Sequence, residues 1–581
     1  MSAPSCTDVL QSVFGYPAFR GQQADVVSHV AAGGSAFVLM PTGGGKSLCY
    51  QVPALVRGGV TVVVSPLIAL MQDQVAALRR RGVRAEVLNS TVAPDAVKRI
   101  EDDVRAGTVR LLYMAPDRLV ATRTQALLAA SPVSLFAIDE AHCIAEWGHD
   151  FRPEYLKLSL LHERFPHVPR VALTATADMQ TRAEIVKRLN LERERVFLSS
   201  FDRPNITYWF KDKRDVYAQL LKFIRVRHAG AAGVVYCQSR AKVEETAAFL
   251  DGQGIPALPY HAGLSVGERE ANQAWFLSRK GVTMVATIAF GMGIDKPDVR
   301  FVAHIELPKS VEGYYQETGR AGRDGKASEV WLAYSANDAA PLYERIKTAE
   351  IVDVQKRVQS SKLDAMVALC ESAECRRMRL LAYFGEPCEP CGRCDICTSP
   401  PRTFDGKGVV RRVILEVART GQRADAAAVA TALGPRSVNA WQSTIRQCVS
   451  LGLLNVDHAA GGALKRTTES VAFMRGERAI TLRRWRSPRA AARRERTAQV
   501  LAGEQLHLYK RLCAWRTDLA RKRGTPAFVI FHDATLAEIA RHKPATQWAL
   551  RRIRGVGDVK LARHGRDVLR IVASAVAPIA H

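Results

Sequence analysis

The feature that most constrains the fold is a series of short apolar runs that alternates with helical patterns and then starts again. The first series contains SAFVLM, TVVVSP, VRLLYMAP, VSLFAIDE and VPRVALTAT; the second contains GVVYCQSR, VTMVAT and VRFVAHIEL. Continuous apolar runs of this kind are typical of strands buried on both faces of a parallel sheet. The sequence therefore predicts an α/β protein with two tandem parallel-sheet lobes, joined by a linker at residues 200–208.

Beyond about Tyr343 the pattern becomes helical and rich in cysteine, as far as Pro400 and Pro401. Three helical patterns and two short apolar runs around residues 458–462 follow, in the order of a winged helix. An arginine-rich stretch separates them from a helical C-terminal segment. The predicted domains are 1–207 and 208–343 for the two lobes, 344–401 for a helical metal-binding domain, 402–482 for a winged helix, 483–504 for a linker and 505–581 for a small helical domain.

The charge of the chain indicates a polyanionic partner. Its 581 residues include 83 Lys and Arg against 57 Asp and Glu, a formal net charge of +26. Each phosphate that such a surface neutralises releases condensed counterions, which favours nucleic acid. With 47% hydrophobic residues, the chain has enough apolar material for real cores and is not a disordered protein. No apolar run reaches the roughly 18 residues of a membrane span, and no secretory signal is recognisable, so we expect a cytoplasmic location.

A glycine-rich turn, MPTGGGKS at residues 40–47, stands between a predicted strand and a predicted helix. This is the context of a phosphate-binding P-loop. Lys46 supplies a positive charge for the β- and γ-phosphates, and Ser47 offers a hydroxyl to Mg²⁺. Met40 stands where the usual pattern has its first glycine. The residues that let backbone N–H groups approach the phosphates are Gly43, Gly44 and Gly45.

Two carboxylates, Asp139 and Glu140, end the apolar run VSLFAI. They are therefore expected at the C-terminal edge of a buried strand, where ligands bind in open α/β sheets. One of them can hold Mg²⁺, and its neighbour can orient or deprotonate an attacking water. Alone, a DEAH tetrad occurs by chance, but a P-loop upstream makes the pair specific.

The second lobe ends its motif series with YYQETGRAGRDG, residues 314–325. Arg320 and Arg323 are three residues apart, so we expect them to share one face of a helix. They suit arginine fingers that reach across a cleft to the γ-phosphate as charge develops. The alternative is an exposed basic helix end.

The segment CIAEWGHDFRPEY, residues 143–155, crowds aromatic rings and an arginine directly behind the DEAH tetrad. Bases stack on aromatic faces for roughly 1–3 kcal/mol each, whatever their sequence. Arg152 can meet a phosphate or stack in turn. The segment is therefore a candidate contact for single-stranded nucleic acid; the alternative is an aromatic plug between the lobes.

Six of the 12 cysteines fall between Cys370 and Cys397. CEPCGRCDIC places four of them at even steps, which by spacing alone suits either zinc or an iron–sulfur cluster. A tetrahedral zinc site more often takes its ligands from two separated segments. The four evenly spaced residues are Cys388, Cys391, Cys394 and Cys397.

These and further motifs together resemble those of one known family. FGYPAFRGQQ, MPTGGGKSLCYQ, VVSPLIALMQDQV, DEAHCIAEWGHDFRPEY, LTATA, VVYCQSRAKVEETA, YHAGL, ATIAFGMGIDKPDVRFVAH and YYQETGRAGRDG resemble, in order, the motifs of RecQ-type DNA helicases. The resemblance implies two RecA-like lobes with ATP between them, and unwinding in the 3′-to-5′ direction. The small unit resembles the RecQ C-terminal winged helix, and the last segment, with PAFVIFHDATLAEIA, resembles an HRDC domain.

The resemblance also implies the roles of individual residues. Nucleotide contacts fall to Tyr16, Arg20, Gln23, Thr42, Gly43, Gly44, Gly45, Lys46 and Ser47. Magnesium falls to Ser47 and Asp139. Catalysis falls to Lys46, Asp139, Glu140, Gln316, Arg320 and Arg323. The zinc ligands that the resemblance implies are Cys375, Cys391, Cys394 and Cys397; Cys370 and Cys388 are not among them. Sensing of single-stranded DNA falls to Trp147, His149, Phe151 and Arg152.

The expected function is that of an ATP-dependent DNA helicase in recombination, repair and replication, associated with the nucleoid. Expected partners are single-stranded DNA, branched or tailed duplex DNA, single-stranded DNA-binding protein and other repair proteins. One alternative is an RNA helicase, because such proteins share the DEAH tetrad. A second is a nucleic-acid-binding scaffold whose ATP site only switches conformation; intact Lys46, Glu140 and both arginines argue against it.

Overall fold

A computed structural model describes residues 4–576 except 42, 67, 90–91, 146–151, 289, 291–295, 402, 435–437, 458–459, 461, 484–502, 524–529 and 554. The chain divides into two compact units, residues 1–485 and 486–581. Within the described ranges, no helix has both the length and the apolar character needed to cross a membrane.

The first lobe is built on a seven-stranded sheet. In chain order its strands are β1 (Ala36–Leu39), β2 (Val60–Val64), β3 (Ala85–Leu88), β4 (Leu111–Met114), β5 (Val133–Ile138), β6 (Arg170–Thr174) and β7 (Arg195–Leu198). They lie in the order β3-β4-β2-β5-β6-β1-β7, and all neighbours are parallel. Phe37 and Leu39 enter one core and Val38 another, so helices cover both faces of the sheet.

The helices of this lobe connect successive strands or precede them. Their bounds are α1 (Cys6–Ser12), α2 (Gln23–Ala31), α3 (Leu48–Arg57), α4 (Ile68–Arg80), α5 (Pro94–Arg105), α6 (Pro116–Val120), α7 (Thr122–Ala129), α8 (Pro153–Leu156), α9 (Leu160–Arg164) and α10 (Met179–Arg188). Short 3₁₀ turns lie at Ala141–Ile144 and Lys157–Ser159.

The second lobe repeats the architecture with six parallel strands. These are β8 (Ile206–Asp212), β9 (Gly233–Tyr236), β10 (Ala257–Tyr260), β11 (Thr283–Ala286), β12 (Phe301–His304) and β13 (Ser328–Tyr334), in the order β10-β11-β9-β12-β13-β8. The helices are α11 (Val216–Arg227), α12 (Arg240–Asp251), α13 (Val266–Ser278) and α14 (Val311–Thr318). The predicted pair of parallel-sheet lobes is confirmed. The predicted linker, residues 200–208, is in part wrong, because its last three residues begin β8.

The rest of the larger unit is a helical platform followed by a smaller domain. The platform contains α15 (Ala340–Thr348), α16 (Asp353–Glu371), α17 (Arg376–Tyr383) and α18 (Asp395–Thr398), after a 3₁₀ turn at Ala336–Asp338. The smaller domain contains β14 (Thr403–Asp405), α19 (Lys407–Arg419), α20 (Ala426–Leu433), α21 (Val438–Ser450), β15 (Leu454–Asp457), β16 (Ala463–Arg466), α22 (Thr468–Met474) and β17 (Thr481–Arg483).

The smaller domain has the predicted order of a winged helix, three helices followed by a hairpin. Strands β15 and β16 pair antiparallel, and β14 pairs antiparallel with β17, which brings the two ends of the domain together. Residues 458–459 and 461, at the tip of the predicted wing, lie outside the described residues.

The part of the second unit that the structure describes is helical, as predicted. Its helices are α23 (Gly503–Arg523), α24 (Asp533–His542), α25 (Gln547–Arg551) and α26 (Asp558–Val576). They enclose a separate core that includes Leu508, Leu512, Phe531, Leu536 and Val568. The described part of this unit therefore has apolar contacts of its own.

Candidate functional site

The predicted P-loop connects β1 to α3. Gly43 and Gly45 have φ angles of 82° and 77°, which glycine adopts without the strain of a side chain. The N–H of Gly44 donates to the carbonyl of Pro41 at 2.9 Å, and Ser47 precedes the first residue of α3. A glycine-rich turn that runs into a helix N-terminus is a site at which backbone N–H groups and the helix dipole favour phosphate.

Gln23, at the start of α2, is bonded to this turn. Its Nε2 donates to the carbonyls of Gly44 and Gly45 at 2.9 and 3.2 Å, and its Oε1 accepts from the N–H of Arg20 at 2.8 Å. A Cβ added to Gly45 would lie 2.2 Å from Gln23 Nε2, so glycine is required for this approach. Tyr16 is 41% exposed, which leaves its ring accessible to a ligand.

The two predicted catalytic carboxylates stand directly after β5. The N–H of Asp139 donates to the carbonyl of Val64 at 2.9 Å and extends the pairing with β2. Glu140 has a left-handed φ of 48°, a strained conformation that occurs most often at functional sites. Burial raises the pKa of Asp139 to about 7, the Glu140 carboxylate adds to this effect, and the Lys46 ammonium opposes it. A divalent cation would balance these two carboxylates, so the residues fit Mg²⁺.

A chain of polar contacts runs from Glu140 to the second lobe. Glu140 Oε2 lies 3.3 Å from His142 Nδ1, which lies 2.9 Å from Thr174 Oγ1. The Thr174 hydroxyl donates to the carbonyl of Thr176 at 3.2 Å. The Thr176 hydroxyl accepts from Gln316 Nε2, on α14, at 3.0 Å. These contacts therefore connect Glu140, a candidate catalytic residue of the first lobe, to Gln316, a candidate catalytic residue of the second lobe.

The two predicted arginine fingers follow α14. Arg320 is 6% exposed, and its Nε and Nη1 have no hydrogen-bond partner among the described residues. A Cβ added to Gly43 would lie 3.3 Å from Arg323 Cγ, so the Arg323 side chain lies against the P-loop. The expectation of a shared helical face is wrong, because α14 ends at Thr318 and both arginines lie in the turns beyond it. Gly322, with φ of 58°, is part of that turn.

The turn after α14, which carries Arg320 and Arg323, is held by two residues that belong to none of the predicted site motifs. The Arg203 guanidinium donates to three carbonyls, those of Gly319, Ala321 and Gly322, at 3.1, 2.9 and 3.1 Å. Asn205 Nδ2 donates to the Gly322 carbonyl at 2.8 Å. Both belong to the predicted linker, whose DRPN sequence was the available signal.

Four predicted site residues, Thr42, Trp147, His149 and Phe151, lie outside the described residues. The chain that follows the aromatic segment is anchored near the carboxylates. The N–H of Arg152 donates to the carbonyl of Cys143 at 3.0 Å, and its Nη1 donates to the carbonyl of Pro66 at 3.3 Å. The Tyr155 hydroxyl donates to the carbonyl of Asp139 at 3.1 Å.

Four cysteines of the platform come together. Among the described residues, the sulfurs of Cys375, Cys391, Cys394 and Cys397 all lie within 4.8 Å of one another. Cys394 Sγ lies 3.9 Å from Cys375 Sγ and 3.5 Å from Cys397 Sγ. Zn–S bonds of 2.3 Å place the sulfurs of a tetrahedral site about 3.8 Å apart, so these four fit zinc. Cys388 is not a member of this cluster, and neither is Cys370.

Comparison with known proteins gives four family matches. The DEAD/DEAH box helicase model matches residues 20–185, the helicase conserved C-terminal domain residues 213–325, the RecQ zinc-binding model residues 336–398 and the HRDC domain residues 505–572. The zinc-binding match spans all four clustered cysteines, which confirms zinc as the predicted metal. The DEAD/DEAH match implies ATP and Mg²⁺.

Several curated relatives match over nearly their whole length. The ATP-dependent DNA helicase RecQ of Pasteurella multocida (strain Pm70) is 40% identical over 97% of this chain and 93% of its own. The protein of the same name from Bacillus subtilis (strain 168) is 35% identical over 97% of both chains. Among solved structures, the DEAD-box helicase Mss116 bound to ssRNA and UDP-BeF has a TM-score of 0.50 at 14% identity, over 64% of this chain and 84% of its own. At that identity the likeness shows the fold alone.

Proposed function

Because the chain belongs to the RecQ family of ATP-dependent DNA helicases, we propose that it moves 3′-to-5′ along single-stranded DNA and separates duplex strands as it hydrolyses ATP. The observation that carries the proposal is the apposition of the two lobes at the nucleotide site. Arg323 of the second lobe lies against the P-loop glycine Gly43, and Gln316 donates to Thr176 of the first lobe. ATP hydrolysis can therefore change how the lobes are held together.

In this proposal each lobe supplies a different part of the ATP site. Lys46 and the P-loop N–H groups hold the phosphates, and Glu140 orients the attacking water. Ser47 and Asp139 would hold Mg²⁺, which when bound neutralises charge on the β- and γ-phosphate oxygens. Arg320 and Arg323 stabilise the charge that develops on the γ-phosphate. Nε and Nη1 of buried Arg320 have no hydrogen-bond partner in the part of the chain that the structure describes, which supports this role.

Coupling between lobes would pass through the contacts that begin at Glu140. His142, Thr174 and Thr176 connect that carboxylate to Gln316 on α14. A shift of α14 would then change the position of Glu140, the residue that orients the attacking water. Arg152 and its aromatic neighbours would pass the presence of DNA to the same carboxylates, because Arg152 and Tyr155 are bonded to backbone around them.

The zinc would be held by the four clustered cysteines and would be structural, because four thiolates leave no open position for water.

We also propose the domain limits that the sequence predicted. We also propose single-stranded DNA-binding protein and repair proteins as partners, and association with the nucleoid, since branched and tailed DNA arises during recombination, repair and replication.

The proposal is tested by comparing the ATPase rates of the purified chain with matched single-stranded DNA and RNA. We expect DNA to stimulate multiple-turnover hydrolysis strongly and RNA of the same sequence to stimulate it weakly. Equal or greater stimulation by RNA would favour an RNA helicase. Hydrolysis that stops after one turnover would favour a switching scaffold.

We predict that Trp147→Ala weakens DNA stimulation of the ATPase far more than the DNA-free rate, because the ring would report bound DNA to Glu140. Overall DNA affinity should fall only modestly, since phosphate contacts of a basic chain supply most of it. The measurement is ATPase rate against single-stranded DNA concentration, beside a direct binding titration.

The matched control for this variant is Trp275→Ala, which removes a tryptophan that is 50% exposed on α13. It should keep its DNA stimulation. A Trp147→Ala chain with the full stimulated rate would indicate an aromatic plug, and equal loss of the basal and stimulated rates would indicate a ring that supports the ATP site itself.

A further inference from the structure

A buried ion cluster joins the helical platform to both lobes. Lys362 Nζ, in the middle of α16, contacts Asp178 of the first lobe and lies 2.5 Å from Glu312 Oε1 of the second. The Tyr383 hydroxyl, on α17, donates to the same oxygen of Glu312 at 2.7 Å, and Lys362 Nζ lies 3.2 Å from that hydroxyl. These four residues form the Lys362 cluster. The Lys362 side chain is 11% exposed and that of Glu312 2%, so the charges are largely removed from water.

One ammonium in this cluster faces two carboxylates from different lobes. Each carboxylate needs the cation, because an ionised group in a poorly hydrated site is costly unless it is paired. Removing the cation would leave two like charges facing each other across the boundary of the lobes. The attraction of Lys362 for Asp178 and Glu312 therefore resists separation of the lobes at this point.

Two members of the Lys362 cluster stand close in sequence to Thr176 and Gln316, whose hydrogen bond joins the lobes. Asp178 is two residues beyond Thr176, and it caps α10 by accepting from the N–H of Thr181 at 2.8 Å. Glu312 is four residues before Gln316 on α14, so the two side chains share one face of that helix. The hydrogen bond from Gln316 to Thr176 thus lies next to the cluster and crosses the same boundary.

We propose that Lys362 is a positioning residue for ATP hydrolysis. By attracting Asp178 and Glu312 at once, it sets the distance between the lobes at which Gln316 reaches Thr176. The same distance determines where the turn after α14 presents its two arginines. Lys362 acts through α10 and α14 and does not touch the nucleotide. This inference rests on the proposed ATP site and extends it to the helical platform.

The principal test is Lys362→Met, which keeps most of the side-chain volume and removes the charge. We expect kcat of the DNA-stimulated ATPase to fall about 10- to 100-fold, since displacement of reacting groups by about 1 Å is enough for such a loss. KM for ATP should stay within about threefold, because the P-loop lies wholly in the first lobe. Lys362→Arg, which retains the charge, should recover most of kcat.

The matched control is Arg446→Met. Arg446 Nε lies 2.6 Å from Glu371 Oε1, so this substitution breaks another ion pair of α16, one that joins α16 to α21. Its kcat should stay near that of the unaltered chain. An unchanged kcat in folded, zinc-loaded Lys362→Met would overturn the inference. Equal losses in the Lys362→Met and Arg446→Met variants would also overturn it, because they would indicate general damage to the platform.

A second variant tests the positioning role of Lys362 if Lys362→Met fails to fold. Glu312→Gln leaves the pair between Lys362 and Asp178 and should lower kcat several-fold, with zinc content and melting temperature near those of the unaltered chain. Full kcat in Glu312→Gln would overturn the inference. Failure of the proposed function itself would look different, because the unaltered chain would then show no ATP hydrolysis stimulated by DNA.

Discussion

The Lys46→Ala variant should lose ATP hydrolysis and DNA unwinding while it binds single-stranded DNA almost as well as the unaltered chain. The lysine supplies charge to the phosphates at the moment of transfer, and the loss of one such preorganised group costs on the order of 10²–10³-fold or more in kcat. Binding should persist because DNA affinity comes from many phosphate contacts over a chain of net charge +26. Steady-state ATPase assays, an unwinding assay and a binding titration measure the three effects.

Lys98→Ala is the matched control for that variant. Lys98 is an exposed lysine on α5, so its removal changes net charge by the same amount without touching the P-loop. It should hydrolyse ATP normally. Appreciable unwinding by the Lys46→Ala variant would contradict the assignment of the ATP site.

The Cys391→Ser variant should lose zinc and much of its soluble yield. Structural zinc binding is coupled to folding, and three remaining thiolates cannot close a tetrahedral site. Metal analysis of the purified unaltered chain should give about one zinc per chain and no iron–sulfur absorbance. Thermal unfolding should show a lower melting temperature for whatever Cys391→Ser protein is recovered.

Cys388→Ser provides the matched control, because Cys388 lies three residues away in the sequence and outside the sulfur cluster. It should keep its zinc and its yield. Loss of zinc in Cys388→Ser, stoichiometric iron in the unaltered chain or a stable metal-free Cys391→Ser protein of full activity would each contradict the proposed ligands.

The strands that the sequence predicted and those it missed differ in where they lie in the sheets. The missed strands include β3 and β7, at the edges of the first sheet, and β8 and β10, at the edges of the second. In β7 only Phe197 is buried, and β10 is half-buried throughout. A charged residue, Glu86, interrupts the apolar residues of β3, and β8 alternates buried with half-buried residues, so neither has the pattern of a strand covered on both faces. The internal strand β13 was also missed, although its residues 330–334 form a continuous apolar run, VWLAY; Glu329, just before that run, pairs with Arg227.

The ATP site was predictable where local sequence encodes local geometry. The P-loop and the carboxylates after β5 are single turns whose residues are contiguous, so their pattern was visible. Arg203 was not predictable in this way, because its carbonyl partners lie 116 or more residues further along the chain. The interlobe bond from Gln316 to Thr176 likewise depends on how two folded lobes pack, which periodicity does not report.

The zinc site likewise could not be predicted from the local spacing of its cysteines. Spacing alone was compatible with a site of four evenly placed residues that includes Cys388, whereas the structure brings Cys375 to the cluster instead. Cys375 directly precedes α17, and the backbone N–H of Cys391 donates to its sulfur at 3.3 Å. A helix start brought beside a later loop makes this site, and only the family resemblance had pointed to it.

The proposed ATP-driven movement in the 3′-to-5′ direction is tested by strand separation on tailed duplexes of both polarities, with and without ATP. A motor that moves 3′-to-5′ must load on a 3′ single-stranded tail, and it must work against base-pair stacking of about 1.4 kcal/mol per step on average. We expect ATP-dependent separation of the 3′-tailed duplex and little separation of the 5′-tailed one. Separation that does not need ATP, or that occurs only with the 5′ tail, would contradict it.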